Sequence, residues 1–150
     1  MTSGDVDTLA VAEARRWIGT PYRHQGTTLG VGCDCLGLIR GVWRAIHGDE
    51  PCDVPAYTPD WAEWRATEPL LRAAVRYLRP ARAAGPGTVL LFRWSAGSAI
   101  KHCGIQADAD TMIHAYAGHG VVRSPLVEAW RRRIVARFAF PEPTPPFERS

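Results

Sequence analysis

Apolar positions along the chain change period once. Up to about residue 79 they recur every three or four positions, as in a helix that buries one face. Val6, Leu9, Ala10, Ala14, Trp17 and Ile18 predict a helix over 5–18, stopped by Gly19-Thr20-Pro21. Leu38, Ile39, Val42 and Trp43 predict a second over 34–46, ended by His47-Gly48-Asp49. Leu70, Leu71, Ala74, Val75 and Leu78 mark a third helical region over 60–79, in two pieces broken near Pro69. After Gly87 the period becomes two. TVLLFRW (88–94), KHCGIQA (101–107), TMIHAY (111–116) and GVVR (120–123) predict short strands separated by turn residues. A short helix over 125–131 and a last strand, RIVARFAF (133–140), follow. Between the helices lie a Gly- and Thr-rich loop, TPYRHQGTTLGVGC (20–33), and a loop with three prolines, DEPCDVPAYTPD (49–60). Helices first and an antiparallel sheet after them predict an α+β domain over 1–140. The proline-rich PEPTPPFERS (141–150) predicts an extended tail.

Composition narrows the class without naming a chemistry. The chain has 150 residues, 46% apolar and 22% charged, as for one globular domain with a core of its own. A net charge of +3 is a mild bias. Without a basic stripe interleaved with aromatics it gives no reason to expect nucleic acid, although weak attraction to anionic polymers is allowed. The start, MTSGDVDTLAVAEARRW, lacks the basic-then-apolar order of a secretory signal. No apolar run approaches the ~20 residues of a membrane span. These features predict synthesis in the cytosol and, if the protein is exported, exit by another route. The four cysteines are expected to be reduced thiols rather than a disulfide framework.

The chemistry concentrates in GCDCLGLIRGVWRAI (32–46), where Cys33 and Cys35 flank Asp34 at the start of a helix. Metal binding would recruit His102, Cys103 and His114, but the C-x-x-C spacing of structural zinc sites is absent. A Cys33–Cys35 disulfide would be strained at that separation. Packing as small apolar residues suits free cysteines in general, Cys52 and Cys103 among them. The remaining reading makes Cys35 a nucleophile in the first helical turn, where exposed N–H groups and the helix dipole favour a thiolate. Such a thiolate needs a base and the base an orienting group. His102 and His114 fall on adjacent strands of one predicted hairpin, so their rings can meet on one sheet face.

These blocks, ARRWIGTPYRHQG, GCDCLGL, GTVLLF, KHCGI and MIHA in this order, resemble the NlpC family of papain-like cysteine peptidases, which cut peptidoglycan stem peptides. The resemblance spans about residues 9–140 and implies the papain-like NlpC fold, with N-terminal helices packed on a central antiparallel sheet. It implies Cys35 as nucleophile, His102 as general base and His114 as the residue that orients His102. It also implies that Tyr22 and Asp34 help hold the substrate, although Asp34 could equally serve as a helix cap. No metal or cofactor is implied. The wording DCLGLIRGVWR resembles the phage-tail and gene-transfer-agent branch. That branch implies phage-tail or baseplate hub proteins as partners, the proline-rich tail as one docking segment, and action at the cell wall from a phage-like particle. Leu36 departs from the family serine after the nucleophile, and Gln25-Gly26-Thr27 from its glycine pair, which bears on subsites rather than on the reaction.

Other side chains carry plainer expectations. His24 and His47 read as surface histidines, His119 as a turn residue and Arg131-Arg132-Arg133 as a solvated charged face. Trp17, Trp43 and Trp130 read as core, while Trp61, Trp64 and Trp94 are left open. An amidase or acyltransferase on the same scaffold, and a non-catalytic structural protein of a tail tip, are the competing functions.

Overall fold

The computed structural model describes residues 1–51, 68–81 and 83–143. Helix α1 runs Ser3–Trp17 and begins with a reciprocal cap: the Thr2 hydroxyl accepts the Asp5 N–H while the Asp5 carboxylate accepts the Thr2 N–H. Its buried face is Val6, Ala10, Val11, Glu13, Ala14 and Trp17; of the predicted stripe Leu9 is only partly buried and Ile18, just past the helix, is exposed. Helix α2 runs Cys35–His47 and buries Leu38, Ile39, Val42 and Ile46. The two helices approach closely because Gly41 carries no side chain; a Cβ there would land on the Trp17 ring. Helix α3, Pro69–Tyr77, opens with a proline at its first position, where the missing N–H costs nothing. The earlier part of that predicted region lies outside the described residues, as do Cys52, Trp61, Trp64 and the tail from 144 onward.

The loop between α1 and α2 is more ordered than its composition predicts. Thr27–Thr28 (β1) and Gly32–Cys33 (β2) form a small antiparallel hairpin, and Tyr22 bridges to Cys33. Two-residue strands are too short for any period to reveal them. The hairpin is pinned to α2: Arg44 donates to the Thr27 carbonyl at 2.6 Å, and the Thr27 hydroxyl donates to the Gly37 carbonyl at 2.7 Å.

The remaining strands are β3 (Arg79–Pro80), β4 (Val89–Arg93), β5 (Ile100–Gln106), β6 (Thr111–Tyr116), β7 (Gly120–Pro125) and β8 (Ile134–Ala139), with a one-turn helix α4 (Glu128–Arg131) before β8. They form one antiparallel sheet in the order β3-β8-β4-β5-β6-β7. The two-residue alternation divides the sheet into two faces. Val89, Leu91, Cys103, Ile105, Ile113, Ala115 and Val121 pack against α1 and α2 as the main core. Leu90, Phe92, Met112 and Leu126 form a smaller cluster, covered by Trp130 and Ile134.

One irregularity matters for function. Strands β6 and β7 pair over six residues, but β5 and β6 pair only at Ile105↔Ile113 and Gln106↔Met112. The ladder therefore parts on the side where His102 and His114 sit. Gly104 lies at the parting, where a Cβ would meet the His114 Cβ at 3.0 Å. Among the described residues no helix is long and apolar enough to cross a membrane.

Candidate active site

Asp34 builds the entrance to α2. Its carboxylate is buried, 4% exposed, and accepts the Gly37 N–H at 2.7 Å on one oxygen and the Gln25 N–H at 2.8 Å on the other. The first bond caps the helix. The second fastens the 20–33 loop beside it and holds Gln25 at φ 64, in the left-handed region that favours glycine. The His24 ring lies 3.9 Å from the same carboxylate. Gly26 and Gly37 allow this contact, since a Cβ on Gly37 would land on the Gly26 carbonyl oxygen.

Cys35 is the first residue of α2, with its N–H among those a helix leaves without an internal partner. The Cys103 thiol donates to its backbone carbonyl at 3.4 Å, and the Cys103 and His102 side chains both lie close enough to its thiol to favour the thiolate. From there a chain of contacts crosses the parted strands. His102 Nε2 lies 2.8 Å from His114 Nδ1, and His114 Nε2 lies 2.8 Å from the Ser124 hydroxyl. Since Nε2 of His102 faces His114, Nδ1 is the ring nitrogen available to Cys35. His102 and His114 are 5% and 0% exposed, with their rings edge to face at 5.0 Å.

The local electrostatics separate the thiols. The Cys103 hydrogen bond, opposed by burial and aided by a bond and positive charge from His102, brings the Cys35 thiol down to about 5. Cys103 is driven well up, by the same bond and by burial. Cys33, fully buried two residues before Cys35, is pushed up to about 12 by burial and then by the Asp34 charge. Near neutral pH only Cys35 of these three is a thiolate, and all three are free of disulfides. Tyr22, 37% exposed, is raised to about 12 by burial and then by the negative charge at Cys35, so a phenol O–H stands near the nucleophile position. His114 is lowered to about 3 by burial and by the charges of His102 and His119, and stays neutral.

An aromatic wall surrounds the histidines. Trp94 stacks on His102 at 5.4 Å between centroids, Trp130 lies 5.3 Å from His114 and 5.8 Å from His102, and Tyr116 stacks on His114 at 5.4 Å. Trp130, expected in the core, is half-buried and shared between the smaller cluster and this wall. Arg131 and Arg132 of the arginine run are exposed as expected and Arg133 is half-buried, but two of the three also bind backbone carbonyls. Arg131 donates to the Leu126 and Ala109 carbonyls, and Arg133 to the Trp94 and Ala129 carbonyls, clamping α4 and the wall together. His47 is half-buried and stacked on Trp43 rather than free on the surface. His119 is exposed in its turn and stacks on Tyr116.

The expected trio of Cys35, His102 and His114 therefore meets in space, with Tyr22 and Asp34 beside it. Two further members escaped sequence reading. Cys103 resembles an inert core residue until its partner is known. Ser124 lies beyond the predicted end of its strand, which runs on to Pro125. Continuing the two-residue alternation from Val122, which pairs with His114, would have placed Ser124 on the same face. Among the described residues no three His, Cys, Asp or Glu side chains converge as a metal site requires.

Comparison with known proteins agrees with this fold and motif set. Residues 19–138 match the model of the NlpC/P60 family. The chain is 30% identical over 145 residues to the gamma-DL-glutamyl hydrolase of Bacillus subtilis, covering 95% of this chain and 31% of that protein. It is 29% identical over 130 residues to the murein DD-endopeptidase MepS/murein LD-carboxypeptidase of Escherichia coli K12, covering 86% and 60% respectively. The chain thus spans less than two thirds of either relative. Among solved structures, the NlpC/p60 domain of the peptidoglycan hydrolase SagA superposes with a TM-score of 0.52 at 25% identity, over 80% of this chain and 89% of that one. NlpC1 from Trichomonas vaginalis gives 0.60 at 17% identity, over 91% and 44%, a likeness of fold. With the family model matching most of its length, the chain belongs to the NlpC/P60 family of cysteine peptidases.

Proposed function

We propose that the chain is a cysteine endopeptidase that hydrolyses peptidoglycan stem peptides at the bond between D-glutamate and the diamino acid. The observation that carries this reading is the contact chain Cys35–His102–His114 beginning at a helix N-terminus, with Cys35 the thiol lowered to about 5. The substrate class is supported by the relatives, one named a gamma-DL-glutamyl hydrolase and another a murein endopeptidase.

The steps follow from the geometry. The Cys35 thiolate, its proton held by His102, attacks the scissile carbonyl carbon. First-turn N–H groups, those of Cys35 and Leu36, receive the developing oxyanion, preceding the Gly37 N–H that Asp34 already engages. His102 in its protonated form gives its proton to the departing amine, leaving an acyl thioester. It then takes a proton from water, whose oxygen attacks the thioester and frees the acid and the thiol. His114 holds the His102 ring in line. Tyr22 lies near enough to Cys35 to meet the substrate, and Asp34 shapes the same wall through the loop it fastens. No step draws on a metal or cofactor.

In the same reading the protein serves a phage-like tail or gene transfer agent. Tail-tip proteins position it at the wall, as the DCLGLIRGVWR wording suggests. The test is digestion of purified peptidoglycan and free stem peptides by wild type, Cys35→Ala and Cys33→Ala, read by mass spectrometry. Wild type and Cys33→Ala should cut one peptide bond and Cys35→Ala none. Cleavage of neither substrate by wild type would move the scaffold to another amide or ester, or to a structural role in a tail tip.

A further inference from the structure

We propose that Ser124 is a positioning residue of this site, its Oγ accepting the Nε2–H of His114 and so holding His114 in the tautomer whose Nδ1 lone pair faces His102. The inference rests on the reading of Cys35 and His102 as nucleophile and base. It adds a fourth member, contributed by β7 at the edge of the sheet.

A count of protons fixes the tautomer. A neutral imidazole has one N–H and one lone pair; an imidazolium has two N–H groups. When His102 takes the Cys35 proton at Nδ1 it carries hydrogen on Nε2 as well. Among the described residues its hydrogen-bond neighbour is His114 Nδ1, 2.8 Å away, which must therefore offer its lone pair. His114, lowered to about 3 and neutral, then bears its hydrogen on Nε2, which points at Ser124 Oγ 2.8 Å away. The opposite tautomer disables the base. With hydrogen on Nδ1, His114 would donate to His102 Nε2. That would force the His102 hydrogen onto Nδ1, leaving no lone pair to receive the Cys35 proton. The tautomer of a fully buried residue thus sets whether the base can work.

Ser124 can fill this role because a hydroxyl accepts as readily as it donates. The residue is only half-buried, so its own hydrogen can turn outward. Without the hydroxyl, the Nε2–H of His114 would be buried with no acceptor, a costly state. The titratable neighbours of the network are His102, His119 and Tyr116 around His114, and Cys103, His102, Asp34, Tyr22 and Cys33 around Cys35. None of them occupies the place of Ser124.

The experiment compares wild type, Ser124→Ala and Ser124→Thr, the last keeping a hydroxyl. Nitrogen-15 histidine spectra read the His114 tautomer directly, and the pH profile of Cys35 alkylation by iodoacetamide reads the thiolate without any peptidoglycan. Wild-type His114 should carry hydrogen on Nε2. Ser124→Ala should raise the alkylation midpoint by about one pH unit, so alkylation on the acid limb is ~10-fold slower. Its kcat on stem peptide should fall with KM little changed, and Ser124→Thr should restore most of the profile. Hydrogen on Nδ1 in wild type overturns the proposal, as does a Ser124→Ala profile that superposes on wild type. The wild-type spectrum decides even if Ser124→Ala does not fold. Failure of the underlying reading looks different: wild-type Cys35 then resists alkylation, and the catalytic role of Ser124 falls with it.

Discussion

Removing the Asp34 carboxylate separates its two roles, cap and substrate contact. In Asp34→Ala both the Gly37 N–H and the Gln25 N–H lose an acceptor at a position 4% exposed. An N-cap replaced by alanine costs ~1 kcal/mol, and a hydrogen bond to a charged group is worth ~1.5–3 kcal/mol. Part of that loss is offset because the variant no longer buries a charge. The expected net loss is ~2–4 kcal/mol of folding stability, which at a urea slope of ~2 kcal/mol per molar is a midpoint drop of about 1–2 M. The carboxylate also opposes the thiolate: its negative charge raises the Cys35 thiol. The alkylation midpoint of Cys35 in folded Asp34→Ala should therefore stay put or move down, although the loop that Asp34 fastens is loosened. The assay is urea unfolding by circular dichroism beside the alkylation profile at low denaturant. A stability loss below about 0.5 kcal/mol, with KM for stem peptide sharply raised, would refute the capping argument and leave substrate contact as the residue's main work.

Three other perturbations test neighbouring parts. The folded His114 value of about 3 lies below the ordinary 6.5, so between those pH values the native state binds fewer protons than the unfolded chain. Its contribution to stability should fall as pH drops through that window, with a slope up to ~1.4 kcal/mol per pH unit that His114→Gln removes from a urea-midpoint series. Gly37→Ala puts a methyl group on the Gly26 carbonyl and should cost at least ~1–3 kcal/mol by thermal unfolding, with activity lost because the loop is pushed from the nucleophile. Cys103→Ala deletes the donor that contributes most to the low Cys35 value. At ~1.5–3 kcal/mol for a bond to a charged group, the alkylation midpoint should rise by ~1–2 units.

The parts of this fold that long periodic patterns describe were legible in the sequence. Helices α1 and α2 follow their apolar stripes, and the strands of the sheet follow the two-residue alternation to within one or two residues at most ends. What stayed hidden has physical reasons. Strands β1, β2 and β3 have two residues each, fewer than one full cycle of any pattern. Strand β7 runs two residues past its predicted end, into the stretch expected as a short helix, because an edge strand tolerates proline without losing a needed N–H. The meeting of Cys35, His102 and His114 was expected from motif order and hairpin geometry. Cys103 and Ser124 were not, since each gains its significance from a partner distant in sequence: Cys103 from Cys35 on α2, Ser124 from His114 on the next strand. The bonds of Arg131 to Ala109 and of Arg133 to Trp94 were hidden for the same reason, since only the tertiary fold brings those carbonyls near.

The central claim is covalent catalysis by Cys35 on a stem peptide. Its most direct test is intact-protein mass spectrometry after rapid mixing with excess stem peptide and acid quench, followed by mapping of the adduct. The account predicts a transient mass gain equal to the acyl half of the cleaved peptide, mapped to Cys35, with no adduct and no cleavage in Cys35→Ala. Cleavage that continues in Cys35→Ala, or an acyl group mapped to Cys33 or Cys103, would contradict it.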